Sequence, residues 1–113
     1  MSLKVYGLKN CDTCKKALKA LENNRKSVDF VDIRAEADLA AKVPVWLEAA
    51  GDKLLNKAST TWRNLSDTEK DAAASDPAAL LIANPTLIKR PVIEDGDAIH
   101  IGWKKDVQEA LLG

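Results

Sequence analysis

Residues 3–33, LKVYGLKNCDTCKKALKALENNRKSVDFVDI, have the pattern of a β-α-β unit. Residues 3–7 predict a first strand, and Asn10-Cys11-Asp12 then opens a helix. Apolar residues recur along that helix at a spacing of three and four, at Cys14, Ala17, Leu18 and Leu21. Residues 28–33 predict a second strand. The two strands of such a unit are almost always parallel and joined by a right-handed crossover.

The middle of the chain predicts helices and loops. Residues 38–90 have helical rather than strand periodicity, and Gly51 stops a first amphipathic helix. Pro44 inside this helix implies that the helix either starts late or kinks there. Further helix starts are marked by the capping-box pair Ser66 and Glu69 and by the N-cap and first-turn proline Asp76-Pro77.

The C-terminal part predicts a hairpin and a last helix. Residues 91–94 and 98–102 are the two strands, and Asp95-Gly96-Asp97 between them is a hairpin turn signal. The last helix has its apolar face at Trp103, Val107, Ala110 and Leu111. The order β-α-β, helical insertion, β-β-α predicts an α/β protein with a four-stranded mixed sheet, on which the first and last helices pack.

Length and charge exclude several classes of protein. A chain of 113 residues has the length of one domain and can form a hydrophobic core without disulfides or metals. Its 17 Lys plus Arg balance 17 Asp plus Glu, which disfavours direct binding to nucleic acid. The sequence has no signal-peptide or membrane-span pattern, so we expect a cytoplasmic protein that does not bind membranes. We also expect it to be a monomer.

The segment Cys11-Asp12-Thr13-Cys14 carries the strongest chemical signal, because it lies where the first strand turns into the first helix. The free N–H groups and the positive dipole end of a helix N-terminus favour a thiolate at Cys11 over a thiol. Cysteines at this spacing in a cytosolic protein are usually redox-active or metal-binding. We therefore predict Cys11 as the nucleophile and Cys14, one turn further into the helix, as the resolving cysteine.

Alternative interpretations of these side chains remain open. Cys14 is also compatible with an ordinary buried hydrophobic residue on the apolar face of its helix. A structural zinc site normally needs four ligands, and besides the two cysteines the chain offers only His100 as a soft ligand, so we expect no metal. His100 lies in the middle of a predicted strand, where a structural or surface role is favoured over that of a catalytic base.

Two arginines and a proline complete the set of candidate residues. Arg63 follows Thr60-Thr61-Trp62, and Arg90 directly precedes Pro91. A cis peptide can form at Arg90-Pro91 and expose the neighbouring backbone, at the sheet edge that we expect to face Cys11. Taken alone, either arginine is also compatible with a solvated surface position.

With these residues, the sequence resembles the arsenate reductase (ArsC)/Spx family, most closely its small YffB-like branch. The matching segments, in the order of the family, are residues 6–17, 54–57, 60–63 and 87–92. The resemblance implies a single thioredoxin-like domain over residues 1–113, with a helical insertion at about residues 36–88.

The resemblance also implies a reaction. In the arsenate reductases of this family, a cysteine matching Cys11 attacks the oxyanion, arginines hold it, and glutathione with glutaredoxin completes the reduction. Arg63 and Arg90 fall at two of the three arginine positions, and a guanidinium fork suits an oxyanion or a glutathione carboxylate. Trp103 occupies the third position, next to Lys104, and this departure favours thiol chemistry over arsenate reduction.

The remaining site residues and partners complete the prediction. We expect Lys9 and Asn10 to help bind the anionic group and Pro91 to be a structural residue near the site. Glutathione is the expected co-substrate, and glutathione or glutaredoxin is the expected partner. The leading hypothesis is a cytosolic, glutathione-dependent thiol reductase.

Cys14 and Gly51 keep a second hypothesis open. Spx regulators carry a CxxC redox switch and bind the C-terminal domain of the RNA polymerase α subunit, and Gly51 falls where they have an interface glycine. Gly51 is equally explained as a helix C-cap. The longer C-terminal portion of the regulators is missing here, which favours the enzyme. A non-catalytic thioredoxin-like scaffold is the third hypothesis.

Overall fold

The computed structural model describes residues 3–112 and contains the predicted order of elements. The strands and helices are β1 (Leu3–Gly7), α1 (Asp12–Asn23), β2 (Val28–Asp32), α2 (Leu39–Ala50), α3 (Thr60–Arg63), α4 (Asp67–Ser75), α5 (Pro77–Ala83), β3 (Val92–Asp95), β4 (Ala98–Ile101) and α6 (Lys105–Leu112). Short 3-10 turns cover Gly51–Leu54 and Pro85–Leu87. The α/β class and the thioredoxin-like arrangement are confirmed.

The four strands form one mixed sheet in the order β2-β1-β3-β4. β1 pairs with β2 in parallel, with Gly7 opposite Asp32 at the last position of the register. β3 pairs with β1 and with β4 in the antiparallel sense, and Tyr6 lies opposite Val92. The loops that leave β1 and β2 therefore start side by side at one edge of the sheet.

The residues divide into two compact units. The first combines the chain up to Ala37 with the chain from Arg90 onward, and the second is Asp38–Lys89. In the first unit, α1 and α6 supply Leu21, Val107 and Leu111 to a core that also contains Leu3, Val5 and Ile93 of the sheet. Half-buried side chains, among them Trp103, pack against this core. The prediction of a single domain over residues 1–113 stays a prediction.

The second unit contains α2 to α5. The backbone of residues 54–57 runs beside that of residues 87–89, since Asn56 N–H donates to Leu87 O at 2.7 Å and Lys89 N–H donates to Leu54 O at 2.7 Å. The predicted caps are confirmed: Ser66 and Glu69 form a capping box before α4, and Asp76 caps α5.

Several boundaries and one buried face differ from the sequence predictions. β2 ends at Asp32, one residue early, β3 begins at Val92 and β4 ends at Ile101. Gly102, predicted to end β4, has a φ of 81° that a strand does not accommodate. Ala110 is exposed, so only Val107 and Leu111 are buried on α6.

Pro44 lies inside α2, and the helix begins before it, at Leu39. The late start that the sequence left open is therefore excluded. The reason is the cap: the Asp38 carboxylate accepts a hydrogen bond from the Ala41 N–H at 3.3 Å, which satisfies a first-turn donor and sets the helix start upstream of the proline.

Candidate active site

Cys11 is the N-cap residue of α1, as the sequence predicted, and its side chain is half-buried. Its backbone is extended, and its N–H donates to Leu8 O at 3.2 Å, while its own carbonyl accepts from Lys15 N–H at 3.0 Å. The Cys11 side chain makes no capping hydrogen bond. Cys11 therefore stands at the helix terminus where the first N–H groups have no intrahelical partner, and its sulfur is not used as a cap.

Cys14 lies one turn further along α1 and is fully buried. Burial, together with the hydrogen bond and charge of Cys11, raises the pKa of the Cys14 thiol to about 12. A hydrogen bond with the Leu8 backbone and the charge of Arg90 act in the opposite direction. Both cysteines are free thiols, and at neutral pH Cys14 keeps its proton.

Gly7 is a site residue that the sequence analysis missed. A Cβ atom on Gly7 would lie 2.5 Å from Cys14 Sγ and 3.3 Å from Cys14 Cβ. Only the absence of a side chain at the end of β1 leaves room for the second sulfur. The one signal in the sequence was a glycine at the end of a strand, where close approach of another group is common.

The Arg90-Pro91 peptide bond is cis, at the position where the sequence allowed it. Pro91 is buried, and its carbonyl accepts from Gly102 N–H at 2.8 Å. Because Val92 pairs with Tyr6, Arg90 and Pro91 lie near the end of β1 from which the Cys11 loop departs. Arg90 is half-buried, and its charge acts on Cys14. The structure thus brings Arg90 and Pro91 to the cysteines.

Arg63 is exposed at the end of α3 and belongs to the second unit, so its predicted role beside Cys11 stays a prediction. The neighbouring Trp62 ring has two ammonium groups within cation-π range, Lys57 Nζ at 5.5 Å and Lys70 Nζ at 5.8 Å from its centroid. Trp103, at the third arginine position of the resemblance, packs against the core of the first unit, while Lys104 is exposed.

Lys9 and Asn10 are both exposed in the turn between β1 and α1. They line a cleft of about 410 Å³ together with Leu8, Asp32, Arg34 and Ala35. Hydrogen bonds from the backbones of Ala35 and Arg34 hold the pKa of the Asp32 carboxyl below its usual range, and the charges of Arg34 and Lys9 act in the same direction. Asp32 and Arg34 were not predicted, although the parallel β1–β2 pair was a signal that their loop lies beside Cys11.

His100 lies in β4 opposite Ile93, in the middle of a strand as predicted. Within residues 3–112, no three His, Cys, Asp or Glu side chains gather in a way that would hold a metal ion. Over the same residues, none of the helices has the length and apolar character needed to span a bilayer.

Comparison with known proteins gives matches over nearly the full chain. The model described as "ArsC family" matches residues 6–111. An uncharacterized protein of Haemophilus influenzae is 42% identical over 111 residues, which is 96% of this chain and 96% of that protein. The global transcriptional regulator Spx of Streptococcus mutans is 26% identical over 108 residues, which is 91% of this chain and 77% of the regulator.

Solved structures show the same similarity. A protein named YFFB has a TM-score of 0.88 and 35% sequence identity, with 99% of this chain and 100% of that chain covered. An arsenate reductase (ArsC) related protein from Brucella melitensis has a TM-score of 0.78 and 35% identity, with 97% of this chain and 93% of that chain covered.

Proposed function

Since this chain belongs to the ArsC family, we propose that it is a thiol-disulfide oxidoreductase with glutathione as co-substrate. Cys11 is the nucleophile and Cys14 the resolving thiol. The observation that carries the proposal is the contrast between the two sulfurs: Cys11 is half-buried at a helix N-terminus, and Cys14 is fully buried with its pKa raised to about 12. One sulfur is accessible to substrate, and the other is held protonated behind it.

The first step is thiol-disulfide exchange at Cys11. The Cys11 thiolate attacks one sulfur of a disulfide, the S–S bond breaks, and the departing sulfur leaves as a thiolate that takes up a proton. The product is a mixed disulfide on Cys11.

The second step resolves this adduct. Before the exchange, the hydrogen bond and the negative charge of the Cys11 thiolate help to raise the pKa of Cys14 and keep it protonated. Formation of the mixed disulfide removes the charge of Cys11, so the Cys14 thiol loses its proton more easily than before. Cys14 then attacks the Cys11 sulfur and releases the bound group, leaving a Cys11-Cys14 disulfide that glutathione or glutaredoxin reduces. Free glutathione can also resolve the adduct directly.

Cationic side chains bind the anionic groups of the substrate in this proposal. This role is supported for Arg90 by its position next to the cysteines. For Lys9 and Asn10 it is supported by their position in the loop before Cys11. Arg63 is proposed for the same role on the family resemblance. Trp103 packs against the core of the first unit where the resemblance has its third arginine, so a thiol substrate is favoured over arsenate. The proposed compartment is the cytoplasm.

Mass spectrometry after incubation with oxidised glutathione tests the proposal. We expect an adduct on Cys11 in the wild type that is displaced as a Cys11-Cys14 disulfide forms. Cys14→Ser should retain the adduct on Cys11, and Cys11→Ser should form none. A stable adduct on the Cys11→Ser protein would reverse the assignment of the two sulfurs, and no reaction of either cysteine with any disulfide would end the proposal.

A redox-switched regulator is the second candidate, supported by the relative named Spx. In that case, formation of a Cys11-Cys14 disulfide changes a surface that binds a partner, and the protein turns over no substrate. A pull-down with the C-terminal domain of the RNA polymerase α subunit, run with oxidised and with reduced protein, separates the two functions. Redox-dependent retention that is lost in Cys11→Ser would favour the regulator.

A further inference from the structure

The cleft beside the Cys11 loop is placed to receive part of the substrate. Its lining comes from the two loops that leave β1 and β2, which start side by side because Gly7 pairs with Asp32. The hydrogen bond from Cys11 N–H to Leu8 O, at 3.2 Å, ties the backbone of the nucleophile to a residue that lines the cleft. We propose that this cleft binds the carboxylate end of a small peptide thiol whose sulfur reacts at Cys11, an inference that rests on the proposed function.

The charges in the cleft select for a singly charged anion. Lys9 and Arg34 each contribute one positive charge on an exposed side chain, and Asp32 contributes one negative charge. The hydrogen bonds and charges that lower the pKa of Asp32 keep its carboxylate ionised at neutral pH. The cleft therefore has a net charge of +1, which a single carboxylate neutralises. A dianion such as phosphate or arsenate would leave a net negative charge there, and Asp32 repels it more strongly than it repels a carboxylate.

Asp32 also positions Arg34. The Asp32 Oδ1 atom accepts hydrogen bonds from Arg34 N–H at 2.8 Å and Ala35 N–H at 3.0 Å. The Asp32 carbonyl accepts from Glu36 N–H at 2.9 Å and Ala37 N–H at 3.1 Å. These four bonds close the turn after β2, so the guanidinium extends from a fixed backbone and less conformational entropy is lost on binding.

The size of the cleft suits a peptide of two or three residues. A volume of about 410 Å³ lies in the range of roughly 300–1,000 Å³ typical of small-molecule pockets. In the exchange step, the Cys11 thiolate forms a bond to one sulfur of the peptide disulfide and the other half leaves as a thiolate. Each half of oxidised glutathione has a carboxylate at both of its ends. Lys9 and Arg34 can therefore bind one half through its carboxylates while the sulfur of that half reacts with Cys11.

The test compares two disulfides in a Cys14→Ser background, where the adduct on Cys11 is stable. Oxidised glutathione carries carboxylates, and 2-hydroxyethyl disulfide is uncharged. Mass spectrometry measures the rate of adduct formation with each of the two disulfides. The ratio of these two rates cancels any effect of a variant on the reactivity of Cys11 itself. We expect Lys9→Gln and Arg34→Gln each to lower the glutathione-to-hydroxyethyl ratio roughly fivefold, the order expected for an exposed charge pair.

Two further variants sharpen the result. Lys19→Gln removes an exposed positive charge from α1 outside the cleft and should leave the ratio unchanged. Asp32→Asn keeps an oxygen that can accept the backbone hydrogen bonds and removes the negative charge. It should therefore raise the glutathione-to-hydroxyethyl ratio. If Asp32 only held the turn in place, this substitution would not raise the ratio.

Three results overturn the inference. The first is an unchanged ratio in Lys9→Gln and Arg34→Gln. The second is inhibition of the glutathione reaction by inorganic phosphate more strongly than by acetate at equal ionic strength, which would show a dianion site. In both cases Cys11 still reacts, so the proposed function survives. The third is the absence of reaction with both disulfides, which would remove the proposed function together with this cleft.

Discussion

The packing of Cys14 Sγ against the backbone of Gly7 is the contact on which the second sulfur depends. Gly7 is buried at the end of β1, and nothing but its missing side chain makes room for Cys14. A methyl group at this position cannot move away, because Gly7 O accepts the Ile33 N–H at 2.9 Å and the strand is paired on both sides. The sulfur or the strand would have to shift.

We expect Gly7→Ala to lower the free energy of unfolding by about 1–3 kcal/mol, the usual cost of overpacking a core. Combining it with Cys14→Ala removes the sulfur that the new methyl group would meet at 2.5 Å. The double variant should therefore lose less stability than the two single variants added together. A denaturant-based double-mutant cycle measures this coupling, and strictly additive effects would contradict the packing.

Among the helices, α2 and α5 use proline in opposite ways. Pro44 is exposed inside α2, where it removes one hydrogen-bond donor, and Pro77 is the first residue of α5 after the Asp76 cap. A proline in a helix interior costs about 3 kcal/mol, but at the first position its missing N–H would have no partner in any case.

The two prolines form a matched pair of substitutions. Pro44→Ala should raise the free energy of unfolding by about 1–2 kcal/mol, since the restored N–H outweighs the extra freedom of the unfolded chain. Pro77→Ala should leave stability unchanged or lower it by up to about 1 kcal/mol. Urea unfolding of both variants checks this, and a change of the same sign in both would contradict the described start of α2.

For the protein as a whole, the buried Cys14 thiol makes the free energy of unfolding depend on pH. Burial raises its pKa to about 12, above the value of about 8.5 for an unfolded cysteine. The folded state therefore holds the thiol proton more tightly than the unfolded state does. The stability that this provides is complete below about pH 8.5 and is lost as the pH rises toward 12.

We expect the wild type to lose more stability than Cys14→Ala between about pH 8 and about pH 10. Lysine and tyrosine titration affects both proteins alike and cancels in the comparison. Chemical unfolding at the two pH values, with a reductant present to keep both thiols reduced, gives the measurement. Parallel pH profiles for the two proteins would mean that Cys14 is not held protonated by burial.

Most of the local structure could be read from the sequence. The Cys11 N-cap, the Ser66 capping box and the Asp76-Pro77 start of α5 were all predicted, because each depends on hydrogen bonds between residues at most four apart. The hairpin turn at Gly96 was predicted for the same reason, since its φ of 59° is one that glycine readily adopts.

Contacts between distant parts of the chain determined the remainder. Gly7 shows its role only when α1 folds back onto β1, and Arg34 reaches the Lys9 loop only because β1 and β2 are parallel neighbours. Ala110 has the helical spacing of a buried residue and is still exposed, because the core of the first unit does not extend to it. Periodicity within one helix gives the direction of a side chain, whereas its burial depends on which other element packs there.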